Sequence, residues 1–305
     1  MKVSGFTIAR NAIKLGYPIE ESMRSLLPLV DELVVAIGDS EDGTWDLVTG
    51  IADPKLKPFR TVWDMTRREG GVVLSEQTNL ALAKCSGDWA VYLQTDEVLH
   101  EDEIDVIRGR LRSHLDQGTE GLSFSYLHFY GSYSTIQDNW CRWYRREVRA
   151  VKTGKGIISV GDAAGFKVES DGRLRRLIRA DSGAHVYHYG WARPPSVMVE
   201  KRRHVARFYN AEGAETRVTA GEPGEPPQPY RDLGHLVAFS GSHPATMAMT
   251  VAAQDWKFDA GIESQRRLWA RYLRILRACP RDSVRILISR VLLTWNTYVR
   301  SPKLR

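Results

Sequence analysis

Twice within the first third of the chain, an unbroken apolar run ends abruptly in a short acidic loop. ELVVAIG at 32–38 leads into GDSEDGT, and DWAVYLQ at 88–94 leads into Thr95-Asp96-Glu97. Continuous rather than alternating apolarity suits a strand covered on both faces, as in a parallel sheet packed between helices. The segments between these runs read as helices, over 19–29, 44–51, 75–85 (with a capping-box-like start) and 101–115. Residues 2–9 form a first strand ending at Arg10-Asn11, and 62–64 a short further strand. The order βαβαβαβα with short connections predicts an α/β sheet wound by right-handed crossovers. After residue 120 the rhythm changes to short aromatic strands, at 122–130, 140–146 and 184–189, which predict a mixed or antiparallel half. The Gly- and Pro-dense stretch 219–230 reads as a loop or linker.

Composition narrows the class. With 43% hydrophobic and 26% charged residues in 305, the chain is globular, neither disordered nor collagen-like. No run of about 18 apolar residues offers a membrane span. The start, MKVSGFTIARN, reads as a strand rather than as a secretory leader. Cys85, Cys141 and Cys279 form no CxxC or zinc-like spacing, which fits a reduced, cytoplasmic compartment. The net charge of +6 is unevenly placed. From Gln265 onward, eleven Lys and Arg face Asp282 alone, a net +10, so residues 1–264 carry −4. An acidic body with a basic, amphipathic helical tail at 262–305 suggests contact with an anionic membrane surface at the inner face, or packing on the body or in a homodimer.

Ligands of open α/β sheets bind beyond the carboxyl ends of the strands. Asp39, Asp42, Asp96 and Glu97 all fall there, and clustered carboxylates need a cation or a hydrogen-bonding ligand to offset their repulsion. Asp39 and Asp42 also fit a turn or a helix cap. No GxGxxG follows the first strand and no GxxxxGK[ST] occurs, which argues against dinucleotide and P-loop binding.

SGFTIARNA, ELVVAIGDSEDGT and NLALAKCSGDWAVYLQTDE, in this order, resemble the family 2 glycosyltransferases of the GT-A fold, closely over 3–115 and loosely to HVYHYGWARPP at 185–195. The resemblance implies a Rossmann-type nucleotide-binding sheet with a mixed acceptor-side half. It divides the chain into a catalytic domain at 1–190 (nucleotide half to about 118, acceptor half from about 119), a lid or linker at 191–261, and the basic tail. It implies transfer of a sugar from a nucleotide-sugar donor to a hydroxyl of a sugar, lipid-linked or polysaccharide acceptor, inverting and dependent on Mn²⁺ or Mg²⁺, in cell-envelope polysaccharide or glycolipid synthesis.

By position, Thr7 and Ala9 flank the nucleotide base and Asp39 hydrogen-bonds it. Asp96 takes the metal-binding place, and because the motif reads QTDE rather than DxD, Glu97 is expected to compensate for Gln94. His185 and His188 lie three apart in a strand and point to opposite faces, and His188 resembles the late histidine that completes some metal sites. Gln77 and Asn79 are candidates to touch the donor, and Arg193 and Lys201 to clamp the diphosphate. Asp162, in GDAAG, is the first candidate for catalytic base and Asp138 the second. Two other readings stay open: a nucleotidyltransferase, whose glycine-and-basic loop is missing after strand one, and a non-enzymatic adaptor binding membrane or nucleic acid through the tail.

Overall fold

The computed structural model describes residues 1–67, 69–138, 143–206, 230 and 236–258. Strand β1 (Val3–Ala9) is buried along its whole length, and pairs in parallel with β2 (Glu32–Ile37) on one side and β4 (Trp89–Tyr92) on the other. Outside β2 lies β3 (Leu56–Arg60), parallel again and half-exposed. Helices α1 (Ile19–Leu26), α2 (Thr44–Thr49), α3 (Val72–Leu82) and α4 (Ile104–Ser113) alternate with these strands and cover them. One apolar layer joins Met23 and Leu26 to Leu33, Val35 and Val91, and a second on the opposite face joins Phe6, Val34 and Tyr92 to Phe166. Covered faces on both sides account for the unbroken apolar runs.

Beyond β4 the sheet changes direction. β8 (Arg146–Lys152) pairs antiparallel with β4, and β6 (Gly121–Tyr130) antiparallel with β8. β12 (Arg179–Trp191) runs parallel to β6 and also pairs antiparallel with the two-residue β5 (Glu97–Val98). β7 (Thr135–Gln137) and β13 (Leu236–Ala238) extend the β6 edge, while β9 (Ile157–Val160), β10 (Gly165–Ser170) and β11 (Arg173–Arg175) make a separate small sheet. α5 (Pro195–Ala206) and α6 (Ala248–Ala252) complete the described elements. The expected α/β architecture with a mixed second half is borne out. Among the described residues no helix is long and apolar enough to cross a membrane.

Some local expectations need correction. The third parallel strand is 56–60 rather than 62–64, and its Pro58 is tolerated because the strand is an edge. α3 starts at Val72, three residues before the expected Ser75. Its entry is Gly70-Gly71, with φ of 64° and 74°, a left-handed pair that only glycine adopts cheaply. Ser75 therefore lies inside the first turn and donates to the Val72 carbonyl instead of capping. Of the strand expected at 140–146, the described residues 143–145 are irregular and β8 begins only at Arg146. The basic tail at 262–305 lies outside the described residues, as do most of 207–235.

One buried carboxylate ties the amino ends of the parallel strands together. Glu32 accepts from Ser4 Oγ at 2.6 Å, from Ser86 N at 2.8 Å and Ser86 Oγ at 2.7 Å, and pairs with Lys57. Burial alone would raise this carboxyl, but the Lys57, Ser4 and Ser86 hydrogen bonds outweigh it and hold it far below the usual carboxylate range. A depressed folded value means that the stabilisation is present above the ordinary carboxylate range and is lost as pH falls toward the folded value. Urea midpoints taken from about pH 6 down to about pH 3 are expected to drop, and Glu32→Gln is expected to flatten that decline. An unchanged acid limb in the variant would locate the acid sensitivity elsewhere.

Candidate active site

At the carboxyl ends of β1 and β4 the chain encloses a cavity of about 590 Å³. β4 is held beside β1 in the register Phe6↔Tyr92, and the next residues turn sharply, Glu97 N donating to the Gln94 carbonyl at 3.0 Å. This turn separates two neighbouring acids. Asp96 enters the cavity, and Glu97 goes beneath its floor.

Asp96 is met by groups from more than ninety residues away. The β5–β12 ladder sets His188 opposite Glu97, and Tyr189 N donates to the Asp96 carbonyl at 2.8 Å. His188 Nε2 then stands 3.7 Å from Asp96 Oδ2. Lys201 Nζ, from α5, donates to the same oxygen at 3.0 Å and to the Gly190 carbonyl at 2.7 Å. Arg193 Nη1 shares that carbonyl at 2.8 Å, Arg193 Nε donates to the Gly16 carbonyl at 3.1 Å, and Nη2 has no hydrogen-bond partner among the described residues. The half-buried Tyr17 ring lies against both cations, 4.6 Å from the Arg193 guanidinium and 5.0 Å from Lys201 Nζ. Gly190 must be glycine, because a Cβ there would sit 2.5 Å from Asp96 Oδ2 and 2.6 Å from His188 Nε2.

The electrostatics follow from burial. Burial alone would raise the Asp96 carboxyl, but Lys201, His188 and Arg193 together hold it well below the usual range. Burial and the Arg193 charge push Lys201 down to about 7 against the pull of Asp96. Burial, opposed by Asp96, takes His188 down to about 4, and burial with the neighbouring His188 takes His128 down to about 3, so both rings are neutral. His128, from β6, places Nδ1 2.9 Å from His188 Nδ1 and Nε2 2.7 Å from the Tyr144 carbonyl oxygen.

Glu97 is not beside Asp96 on any shared ligand, contrary to expectation. It is fully buried, receives Arg149 Nε and Nη2 at 2.8 Å each, the Tyr126 hydroxyl at 2.7 Å and Gln94 N at 3.0 Å, and so has no oxygen left for a metal. The Arg149 guanidinium lies 5.4 Å from both the Tyr92 and the Tyr126 rings. This fully desolvated pair lies behind the cavity wall and contributes no lining surface.

The other expected residues separate into two groups. Asp162 lines the cavity from the turn between β9 and β10, where Gly161 and Ala163 both have φ of 61°, and its Oδ1 accepts from Ala164 N at 3.3 Å. Asp138 does not reach the cavity and lies 3.6 Å from Arg145. Ile8 and Arg10 line the cavity where β1 ends, so strand alternation turns the side chains of Thr7 and Ala9 away from it. Asp39 is exposed at the rim, where it pairs with Arg10 at 3.2 Å and accepts from Trp63 N at 3.2 Å. Asp42 is a turn former, accepting from Lys14 N at 2.8 Å and Thr44 N at 3.0 Å. Gln77 donates to the Val62 carbonyl, and Asn79 exchanges two hydrogen bonds with the Ser159 backbone, so neither faces the cavity. His185 points away from His188 and contacts Glu103 at 2.6 Å. Tyr17, Trp63, His128, Arg149 and Trp191 were not legible as site residues. Only the HYGW aromatic run hinted at the last of them.

Asp96 and His188 fit a divalent cation as far as two protein ligands can. Their facing atoms are 3.7 Å apart, which suits two ligands each about 2.1 Å from one ion. Among the described residues no third His, Cys, Asp or Glu joins them, so diphosphate oxygens and water would complete the shell.

A parallel half joined to a mixed half, with an acidic strand end at their seam, defines the GT-A-like class. The sequence profile of Glycosyl transferase family 2 matches residues 7–175, more than half of the 305, and the chain belongs to that family of glycosyltransferases. Compared with curated proteins it has no significant match. Among solved structures it is similar to TarS of S. aureus, at 15% identity and a TM-score of 0.38 over 72% of this chain and 42% of that one. It thus spans less than half the length of that protein. It is also similar to residues 1–349 of TarS in complex with UDP-GlcNAc (16% identity, TM-score 0.36, 72% of this chain and 70% of that one). A third likeness is to glucosyl-3-phosphoglycerate synthase from Mycobacterium tuberculosis in complex with Mn²⁺, UDP and glucosyl-3-phosphoglycerate. There the identity is 22% and the TM-score 0.30, over 43% of this chain and 45% of that one.

Proposed function

We propose that the chain moves a sugar from a nucleoside-diphosphate donor, UDP-linked in the first instance, to a hydroxyl acceptor with inversion at the sugar carbon. The observation that carries this is the Asp96–His188–Lys201 cluster lining a single cavity that Asp162 also lines. A divalent ion held by Asp96 Oδ2 and His188 Nε2 would supply Lewis-acid neutralisation of the departing diphosphate. Lys201 spends two of its three N–H groups on Asp96 and Gly190, which leaves one for a diphosphate oxygen, and the unpartnered Arg193 Nη2 is a further donor close by. The nucleoside lies toward Ile8, Arg10 and Trp63, with Asp39 holding Arg10 at the rim. Among the described residues, Asp96 and Asp162 are the two carboxylates in the cavity wall. Asp162, which lines the same cavity, is the group assigned here to take the acceptor hydroxyl's proton as the sugar bond forms. Trp143, Tyr144 and Trp191 line the same wall and offer faces for a sugar acceptor.

A thermal-shift screen of sugar nucleotides, each with and without Mn²⁺, followed by assay of nucleoside diphosphate release, tests this reading. A donor at 100 times its dissociation constant should stabilise the fold by about 2.7 kcal/mol. Absence of a shift and of diphosphate release with every donor would reject it.

A further inference from the structure

The proton arrangement behind His188 follows from one carbonyl. His128 Nε2 is 2.7 Å from the Tyr144 carbonyl oxygen, and a carbonyl only accepts, so that nitrogen carries hydrogen. His128 is 3% exposed and its ring nitrogens face the Tyr144 carbonyl and His188 rather than a carboxylate, so it has no counter-ion for a second proton and presents Nδ1 as a lone pair. His188 Nδ1, 2.9 Å away, must be the donor. The single hydrogen of neutral His188 is thereby spent at Nδ1, and Nε2 is left bare. The opposite arrangement fails twice: two lone pairs would face each other at 2.9 Å, and an Nε2 hydrogen would point at Asp96 Oδ2 across 3.7 Å, too far for a hydrogen bond.

The His128 ring has no freedom to rearrange. β6 and β12 put His128 and His188 in register, and Tyr126, Trp143 and Tyr144 pack on His128 at centroid distances of 5.2, 5.0 and 4.7 Å. We propose that His128, anchored on the Tyr144 carbonyl, is a positioning residue that locks His188 in the Nδ1–H tautomer and so presents Nε2, beside Asp96, to a divalent cation. This rests on the metal site within the function proposed above. Outer partners of metal-bound imidazoles act in this way, by fixing tautomer and ring orientation.

Two measurements test it, and neither needs turnover. In metal-free wild-type protein with ¹⁵N-labelled histidine, NMR should find His188 protonated at Nδ1 and His128 at Nε2. A proton on His188 Nε2 overturns the proposal whatever the variants do. Mn²⁺ binding, read by electron paramagnetic resonance of the free ion with Mn²⁺ alone and with Mn²⁺ plus UDP, should weaken roughly 10- to 100-fold in His128→Leu. His128→Gln, which keeps one donor and one acceptor on the side chain, should stay close to wild type. Wild-type affinity in His128→Leu, equal weakening in both variants, or no Mn²⁺ binding by wild type would each overturn it. Mn²⁺ binding that follows this pattern while UDP fails to bind would uphold the tautomer lock and reject the transferase reading.

Discussion

Asp96→Asn is expected to lower turnover at least about 100-fold, the scale of losing one charge-stabilising group at a reacting centre, while the chain remains folded. Asp96 Oδ2 is the charged centre of the cluster: it accepts from Lys201 Nζ at 3.0 Å and faces His188 Nε2 at 3.7 Å. Asparagine can keep one hydrogen bond to Lys201 but offers no negative charge to a cation. The fold tolerates the change because Lys201, already pushed down to about 7 by burial and Arg193, can release its proton when its counter-charge is removed. Diphosphate release under saturating donor, with circular dichroism as the control, reads the effect. Turnover in the variant equal to wild type would remove Asp96 from the reaction.

Glu97→Gln, one residue along, is expected to do the reverse. It should destabilise the chain by about 3–5 kcal/mol, because it leaves a charged guanidinium buried without its counter-ion. Arg149 is fully buried, and an arginine cannot escape by losing its proton. Three partners converge on Glu97, so the loss extends to the Tyr126 hydroxyl and the turn at Gln94. The fall in urea midpoint should be the same with chelator as with Mn²⁺, since both Glu97 oxygens are spent inside the protein. A midpoint that falls only when Mn²⁺ is present would return Glu97 to the metal. Together the two substitutions separate a charge exposed to ligand from one sealed beneath it, although the residues are adjacent in the chain.

The parallel half of the fold could be read from the chain because its strands are short, continuously apolar and closed by polar loops. A strand apolar on both sides has few places to go other than between two layers of helices. The same logic located Asp96: a polar residue directly after such a strand stands at the carboxyl edge of the sheet, where ligands bind. β8 was out of reach for the opposite reason. REVRAVK looks like a solvated edge, since charged side chains are almost never fully buried unless paired, and the partner of Arg149 is fifty-two residues away.

Asp96 and Asp162 carried their position in local pattern. His188 and Lys201 were candidates only through the family resemblance, and His128 was not a candidate at all. Their roles come from the β5–β12 and β6–β12 pairings and from the docking of α5, contacts between segments far apart in sequence. Periodicity reports which face of an element is buried, but it carries no information on which distant element covers that face. Hydrogen-bond direction, counter-ion placement and the tautomer of a buried imidazole all depend on that second question, because each is set by atoms within about 3 Å. The residue types, the strand ends and the fold class therefore follow from short-range pattern, while the division of labour between Asp96 and Glu97 exists only once the strands have closed around them.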